Sequence, residues 1–333
     1  MIGLHHLAYD SPSGTTSAVV VPGWGANILG FSYRAEGWQW PVPVLEAVDL
    51  ATLALAPSSY GAPLLAPTPG RVGQNQNGRF RWRGQDHTIS PTRHGWLRGA
   101  VWQIDNASTS HIACTANFAP DSAKCSLPFD FTARHDVRIG EASILSRVSL
   151  TNTGDIDLPL DVGWHPYLHR EGPCRVMIPA SMLWELNTMP EPTPTGTLLE
   201  ATGDIDFRMG KDVHGAHWDH VFCDLEADAN GWADNWVESV ETIALKGGRA
   251  ETLTFRRHVR INSQPADAGT AAVRNMQLFT PPGRNAISLE PLSSVPDALN
   301  LSDLGVPEAR PNVVRPGQTS AFEMEMAITT PGA

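Results

Sequence analysis

Positive charge is scarce in this 333-residue chain: 24 Lys and Arg stand against 35 Asp and Glu, a net charge of −11, and no basic run concentrates a positive field. That excludes the basic face on which nucleic acid or an anionic membrane would be held. Cysteine is equally sparse. Cys114, Cys125, Cys174 and Cys223 lie far apart with no C-x-x-C pair, so no disulfide framework is expected and a reducing cytoplasm suits them. No stretch approaches the ~18 consecutive apolar residues of a membrane span. The start, Met1-Ile2-Gly3-Leu4-His5-His6, lacks the basic and apolar regions of an export signal, so a soluble, cytoplasmic protein is expected. Nothing in the chain sets an oligomeric state or marks a partner protein. Two catalytic signatures are missing as well: the glycines near Arg71 have no Gly-Lys-Ser/Thr terminus for a phosphate loop, and no G-x-S-x-G nucleophile elbow occurs.

What the chain does have is period-two alternation, with little sustained helical periodicity. Phe80 and Trp82 alternate with arginines, and Ile144, Val148 and Leu150 alternate with mainly polar residues. Leu253, Phe255, Val259 and Ile261 share one face, while near the end Phe322, Met324, Met326 and Ile328 oppose Glu323 and Glu325. Half-wet strands of this kind belong to antiparallel sheets. The one helix candidate, Val44 to Ala56, is short and flanked by Pro41, Pro43 and Pro57. With 29 glycines and 27 prolines serving many short turns, the pattern predicts an all-β sandwich or barrel. Three longer connections are expected, over Ser58 to Gly78, Thr188 to Gly203 and Ser263 to Ala272. No linker or repeat divides the chain, so one continuous β domain over 1–333 is the simplest organisation.

The candidate chemistry centres on Asp161-Val162-Gly163-Trp164-His165-Pro166-Tyr167, where the proline holds His165 in extended backbone at a strand end. Four further polar residues accompany it: Arg71, His94, Asp219, and Glu290 between Leu289 and Pro291. Taken singly, each equally suits a bland role as a turn cation, turn residue, surface carboxylate or strand-end charge. Glu290 is the hardest to read that way, because a carboxylate between a strand and a proline is delivered rigidly, and partial burial would raise its pKa toward that of a general base. His214, His217 and His220, with Cys223 nearby, lack a second ligand cluster, and no metal is expected. Some of the 11 tryptophans could stack on a sugar ring, although most should fill core.

In order and spacing, these segments resemble the aldose 1-epimerase (galactose mutarotase-like) family. The resemblance rests on Arg71-Val72, Gly78-Arg79-Phe80-Arg81-Trp82, His94-Gly95 with Arg98 and Trp102, Gly163-Trp164-His165-Pro166-Tyr167, Asp219 with Phe222, and Leu289-Glu290-Pro291 followed by Pro296-Asp297-Ala298-Leu299-Asn300. It implies a large antiparallel β-sandwich, the supersandwich of that family, and interconversion of α and β anomers of an aldose without cofactor. Glu290 would match the general base on the C1 hydroxyl, His165 the general acid at the ring oxygen, and His94 a second histidine near that oxygen. Arg71 and Asp219 would match residues gripping sugar hydroxyls, with Arg98, Trp164 and Tyr167 as further substrate contacts. The chemistry expects an ionised Glu290 and a cationic His165.

Trp96 after His94-Gly95, and Leu168-His169 after Tyr167, depart from the usual family pattern and place the chain in an outlying branch. Two other readings stay open: an epimerase of an anionic sugar such as a hexose 6-phosphate, for which Arg71, Arg93 and Arg98 are available, and a non-catalytic carbohydrate-binding or sensor protein on the same fold.

Overall fold

Alternation becomes sheet that is buried on one face. In Ser143–Asn152 every second side chain is buried, Ile144, Val148 and Leu150 among them, and Phe131–Gly140 repeats the pattern beside it in unbroken antiparallel register. The computed structural model describes residues 3–56, 58–170, 172–228, 232–246, 252–265 and 273–329. It is 52% strand and 7% helix, the all-β architecture that the alternation predicts.

A nine-stranded antiparallel sheet is built in the order Lys211–Asp212, Cys174–Met177, Asn235–Ala244, Thr252–Pro265, Thr319–Thr329, Ser143–Asn152, Phe131–Gly140, His111–Phe118 and Gln103–Ala107. An eight-stranded sheet runs from Pro194–Glu200 through Ala180–Leu186, Asp219–Leu225, Asn275–Phe279, Ala286–Leu292 and Gly163–Trp164 to Leu64–Leu65, with Tyr167–His169 also paired to Ala286–Leu292. The first 43 residues supply a four-stranded sheet, His5–Ser11, Gly14–Val21, Asn27–Ala35 and Val42–Pro43. One apolar cluster draws Phe31, Val148, Phe222, Leu289 and Met326 from all three, so the sheets share a core.

Several expectations change at the level of single elements. The helix shrinks to Leu50–Leu55, started by Asp49, whose carboxylate accepts from the N–H groups of Ala51 and Thr52. The expected loop Thr188 to Gly203 contains the strand Pro194–Glu200. That strand lies at a sheet edge, where a proline's missing N–H costs no ladder bond. Of the expected loop Ser263 to Ala272, Ser263 belongs to Thr252–Pro265, and residues 266–272 lie outside the described residues. The strand Thr252–Pro265 also hides a charge on its apolar face. Arg257, 1% exposed, is neutralised by Glu241 at 3.0 Å and donates to the His169 carbonyl at 2.7 Å. All four cysteines are buried and unpaired, and no described helix is long and apolar enough to cross a membrane.

Candidate active site

The eight-stranded sheet brings His165 and Glu290 together by register. Gly163 pairs with Leu292 and Tyr167 with Ser288 on the same neighbouring strand, and these pairings share one register, which places His165 opposite Glu290. Pro166 interrupts the ladder without shifting it, because it has no N–H to contribute. The N–H of His165 bonds instead to the Pro63 carbonyl at 3.1 Å. Facing residues on adjacent strands hold their Cβ atoms within ~5 Å, and here the side chains meet, with His165 Nε2 3.1 Å from Glu290 Oε1. Glu290 is 1% exposed. Its Oε1 nonetheless has no aligned hydrogen-bond partner, so the carboxyl keeps capacity for an incoming hydroxyl.

Across the next strand the row continues. Gln277 pairs with Glu290 in the sheet, and its side-chain amide donates to Asp219 Oδ1 at 2.7 Å. The other oxygen, Asp219 Oδ2, takes Arg71 Nη2 at 3.1 Å, while Arg71 Nε reaches Glu191 at 3.3 Å. Arg71 is aimed by its own loop. A Cβ at Gly70 would lie 2.5 Å from Pro296, so only glycine allows this approach, and the Arg71 carbonyl accepts from the Asp297 N–H at 2.8 Å.

His94 enters from the opposite wall in left-handed backbone, φ 64°, beside Gly95, φ 61°. This left-handed pair, in which only His94 carries a steric cost, swings the imidazole over His165, edge to face, with ring centroids 5.6 Å apart. His94 Nδ1 lies 2.7 Å from the Pro69 carbonyl, which can only accept, so Nδ1 carries the proton and Nε2 is left as an acceptor. Tyr167 stacks on His165 at 4.4 Å and is itself covered by the Arg284 guanidinium at 4.3 Å. Arg284 is neutralised by Glu46. Arg93 and Arg98 complete the wall, and neither has an acidic or hydrogen-bonding side-chain partner among the described residues. The enclosed space is about 150 Å³, lined also by Ser59, Phe279 and Pro296.

Burial dominates the electrostatics. It raises the Glu290 carboxyl well above its usual range, with Asp219 acting in the same direction and Arg71 opposing. It pushes His165 well below its usual 6.5, assisted by the nearby His94 ring and the Arg98 cation. Both shifts favour an uncharged pair in which the single shared proton stays on the carboxyl, rather than the ionised pair expected from the chemistry alone. Burial and the neighbouring Arg98 likewise depress His94 to about 3, so it is neutral and accepts hydrogen bonds through Nε2. A histidine in that state binds a hydroxyl; it cannot donate to a ring oxygen.

Of the residues singled out from sequence, Glu290, His165, His94, Arg71, Arg98 and Tyr167 line one cavity, and Asp219 stands behind Arg71. Trp164 does not join them. Side chains alternate along a strand, so the residue before His165 points to the other face. There Trp164 is fully buried and donates to Ser146 Oγ at 2.8 Å. The histidines near Asp219 also disperse: His217 Nδ1 donates to the Thr280 carbonyl at 3.1 Å, and Cys223 packs in a separate apolar cluster. Among the described residues no three His, Cys, Asp or Glu side chains gather as metal ligands. Gln277, Glu191, Ser59 and Phe279 carried no motif. Only the pairing of Asn275–Phe279 with the Glu290 strand reveals Gln277.

Comparison with known proteins extends the picture. A sequence profile of the aldose 1-epimerase family matches residues 12–249. The chain is 26% identical to YihR of Escherichia coli K12 over 182 residues, 50% of this chain and 55% of that protein. It is also 26% identical to YphB of the same strain over 169 residues, 48% of this chain and 51% of that protein. It thus spans about half the length of the curated relatives it matches. A galactose mutarotase-like protein from Clostridium acetobutylicum superposes with a TM-score of 0.74 at 16% identity, over 99% of this chain and 98% of that one. The GalM/aldose epimerase homologue from C. elegans gives 0.74 at 14% identity, over 98% and 99%. At such identities the likeness shows a shared fold.

Proposed function

The chain belongs to the aldose 1-epimerase family, and from that premise we propose that it interconverts the α and β anomers of an aldose by opening and reclosing the sugar ring. The observation that carries this reading is the 3.1 Å approach of His165 Nε2 to the unsatisfied Glu290 Oε1 at the base of the cavity. The two oxygens of a hemiacetal sit on one carbon, so the acid and base that serve them must be close neighbours.

The neutral pair and the working ion pair differ by the position of one proton. Its passage from the Glu290 carboxyl to His165 Nε2 arms both groups without net charge change. The Glu290 carboxylate then takes the C1 hydroxyl proton, a C1 carbonyl forms as the C1–O5 bond breaks, and His165 gives its Nε2 proton to O5. Rotation about C1–C2 presents the other carbonyl face, and the same steps in reverse close the ring. Arg71, held by Asp219 and Glu191, positions sugar hydroxyls, while His94 Nε2 accepts from one of them.

A second reading, that the sugar carries an anionic group, is favoured by Arg93 and Arg98. Arg71 and Arg284 are already neutralised, whereas these two have no counter-charge among the described residues, and Arg98, unlike the exposed Arg93, is partly buried, where a cation without a counter-charge is costly. The deciding experiment is anomer exchange by NMR saturation transfer on glucose, galactose, a pentose, glucose 6-phosphate and a sulfonated sugar, with wild type and Glu290→Gln. Exchange lost in Glu290→Gln supports the epimerase; a preference for neutral sugars removes the anionic reading. Tight binding without acceleration would indicate a carbohydrate-binding protein instead.

A further inference from the structure

The strand that carries Glu290 places a second side chain on the same face two residues earlier. Ser288 is fully buried, and its hydroxyl oxygen lies 2.8 Å from the Pro166 carbonyl and 3.0 Å from His165 Nδ1. A serine hydroxyl has one proton to give. Two oxygen atoms at 2.8 Å with no proton between them repel through their lone pairs, and the carbonyl has none to offer. The hydroxyl proton therefore lies toward Pro166. Toward His165 the Ser288 oxygen presents only lone pairs, so Nδ1 must be the donor. The Glu290 carboxyl is also within reach of this hydroxyl, but a proton sent there would leave the 2.8 Å oxygen contact unrelieved.

We propose that Ser288 is a positioning residue that locks His165 in the Nδ1–H tautomer, so that Nε2, which lies 3.1 Å from Glu290 Oε1 and at a longer 3.4 Å from the Tyr167 hydroxyl, carries no proton of its own and can receive and return the single proton of the pair. Pro166 takes part through its carbonyl, which sets the direction of the hydroxyl. With the other tautomer, Nε2 would already be protonated and could only donate to the Glu290 carboxyl, so it could not take up the carboxyl proton and the transfer between them would stop. The arrangement parallels His94, whose Nδ1–H is fixed by the Pro69 carbonyl, so both histidines turn Nε2 to the cavity. The catalytic consequence rests on the epimerase reading, whereas the tautomer itself does not.

The test is nitrogen NMR of the full chain with 15N-labelled histidine and no sugar present, with His165→Gln used to assign the His165 signals. Wild type is expected to show a protonated-type Nδ1 and an unprotonated-type Nε2 for His165; the reverse pattern would overturn the proposal. Ser288→Ala is expected to release the ring to a mixture of tautomers and to lower kcat for anomer exchange about 10- to 100-fold with little change in KM, the scale typical of a lost supporting hydrogen bond. Ser288→Thr, which restores the hydroxyl, should recover the wild-type tautomer. Unchanged tautomer and kcat in Ser288→Ala would also overturn the idea. If Ser288→Ala does not fold, the wild-type spectrum alone decides. Absence of anomer exchange in wild type, with the Nδ1–H tautomer present, would remove the epimerase reading and leave the tautomer lock standing.

Discussion

The Gln277 amide donates to Asp219 Oδ1 at 2.7 Å from a backbone position paired with Glu290, so one strand residue joins the carboxylate that steers Arg71 to the strand that carries the proposed base. Gln277→Leu removes this donor and leaves Asp219 Oδ1 without it. Losing a hydrogen bond to a charged group costs about 1.5–3 kcal/mol, and each 1.4 kcal/mol is about tenfold in binding. The expected result is a KM raised about tenfold with kcat altered far less. Steady-state kinetics that showed kcat falling instead would place Gln277 in the proton chemistry.

The pH profile follows from the directions of the two buried groups. His165 is pushed down from 6.5 and Glu290 up from 4.5, so the one-proton state of the pair is populated between two separated limits. Activity should be lost on the acid side only below the usual histidine range, where a second proton enters. It should be lost on the alkaline side only above the usual carboxyl range, where the last proton leaves. A bell-shaped kcat/KM profile with a plateau between those two limits is expected. Glu290→Gln and His165→Gln should each reduce the plateau by about 10²- to 10⁴-fold, and the double variant should fall little further because the two act as one unit.

Gly70→Ala tests the loop that aims Arg71. Its new methyl would sit 2.5 Å from Pro296 Cβ, in a rigid ring, and 2.6 Å from the Pro296 backbone Cα, neither of which is a flexible tip. Overpacking of this kind costs about 1–3 kcal/mol. Thermal unfolding should show that loss together with a raised KM; a variant with wild-type stability and KM would mean the loop yields freely.

Trp164→Phe separates core from cleft. The indole donates to Ser146 Oγ, which also contacts His135 Nε2 at 2.7 Å, and none of the three lines the cavity. Loss of that donor should lower stability by about 1–3 kcal/mol and leave KM for the sugar unchanged. A changed KM would return Trp164 to the list of substrate contacts.

Residues whose meaning is local were legible in the sequence. His165 and Glu290 were legible beside their prolines, although Glu290 lies inside the strand Ala286–Leu292, which continues through Pro291, rather than at its end, and the alternation of Ile144, Val148 and Leu150 declares its sheet face without help from elsewhere. Gln277 and Ser288 were not legible, because their importance arises from what lies across the sheet, and register between distant strands is written in no single segment. Trp164 was misplaced for a related reason: composition offers an indole, but only strand alternation decides which face receives it. The strand Pro194–Glu200 was hidden by prolines that argue against a central strand and are harmless at an edge.

The two residues of the proposed proton-handling pair face each other across neighbouring strands of one sheet, whereas Ser59, Arg93 and Arg98 stand on the connections around it. This separation gives the scaffold evolvability. On the proposed epimerase reading, changes at these three rim positions are expected to alter the sugar accepted while leaving the His165–Glu290 pair in place. A combinatorial library confined to those positions, selected on different sugars, would test that expectation in the laboratory.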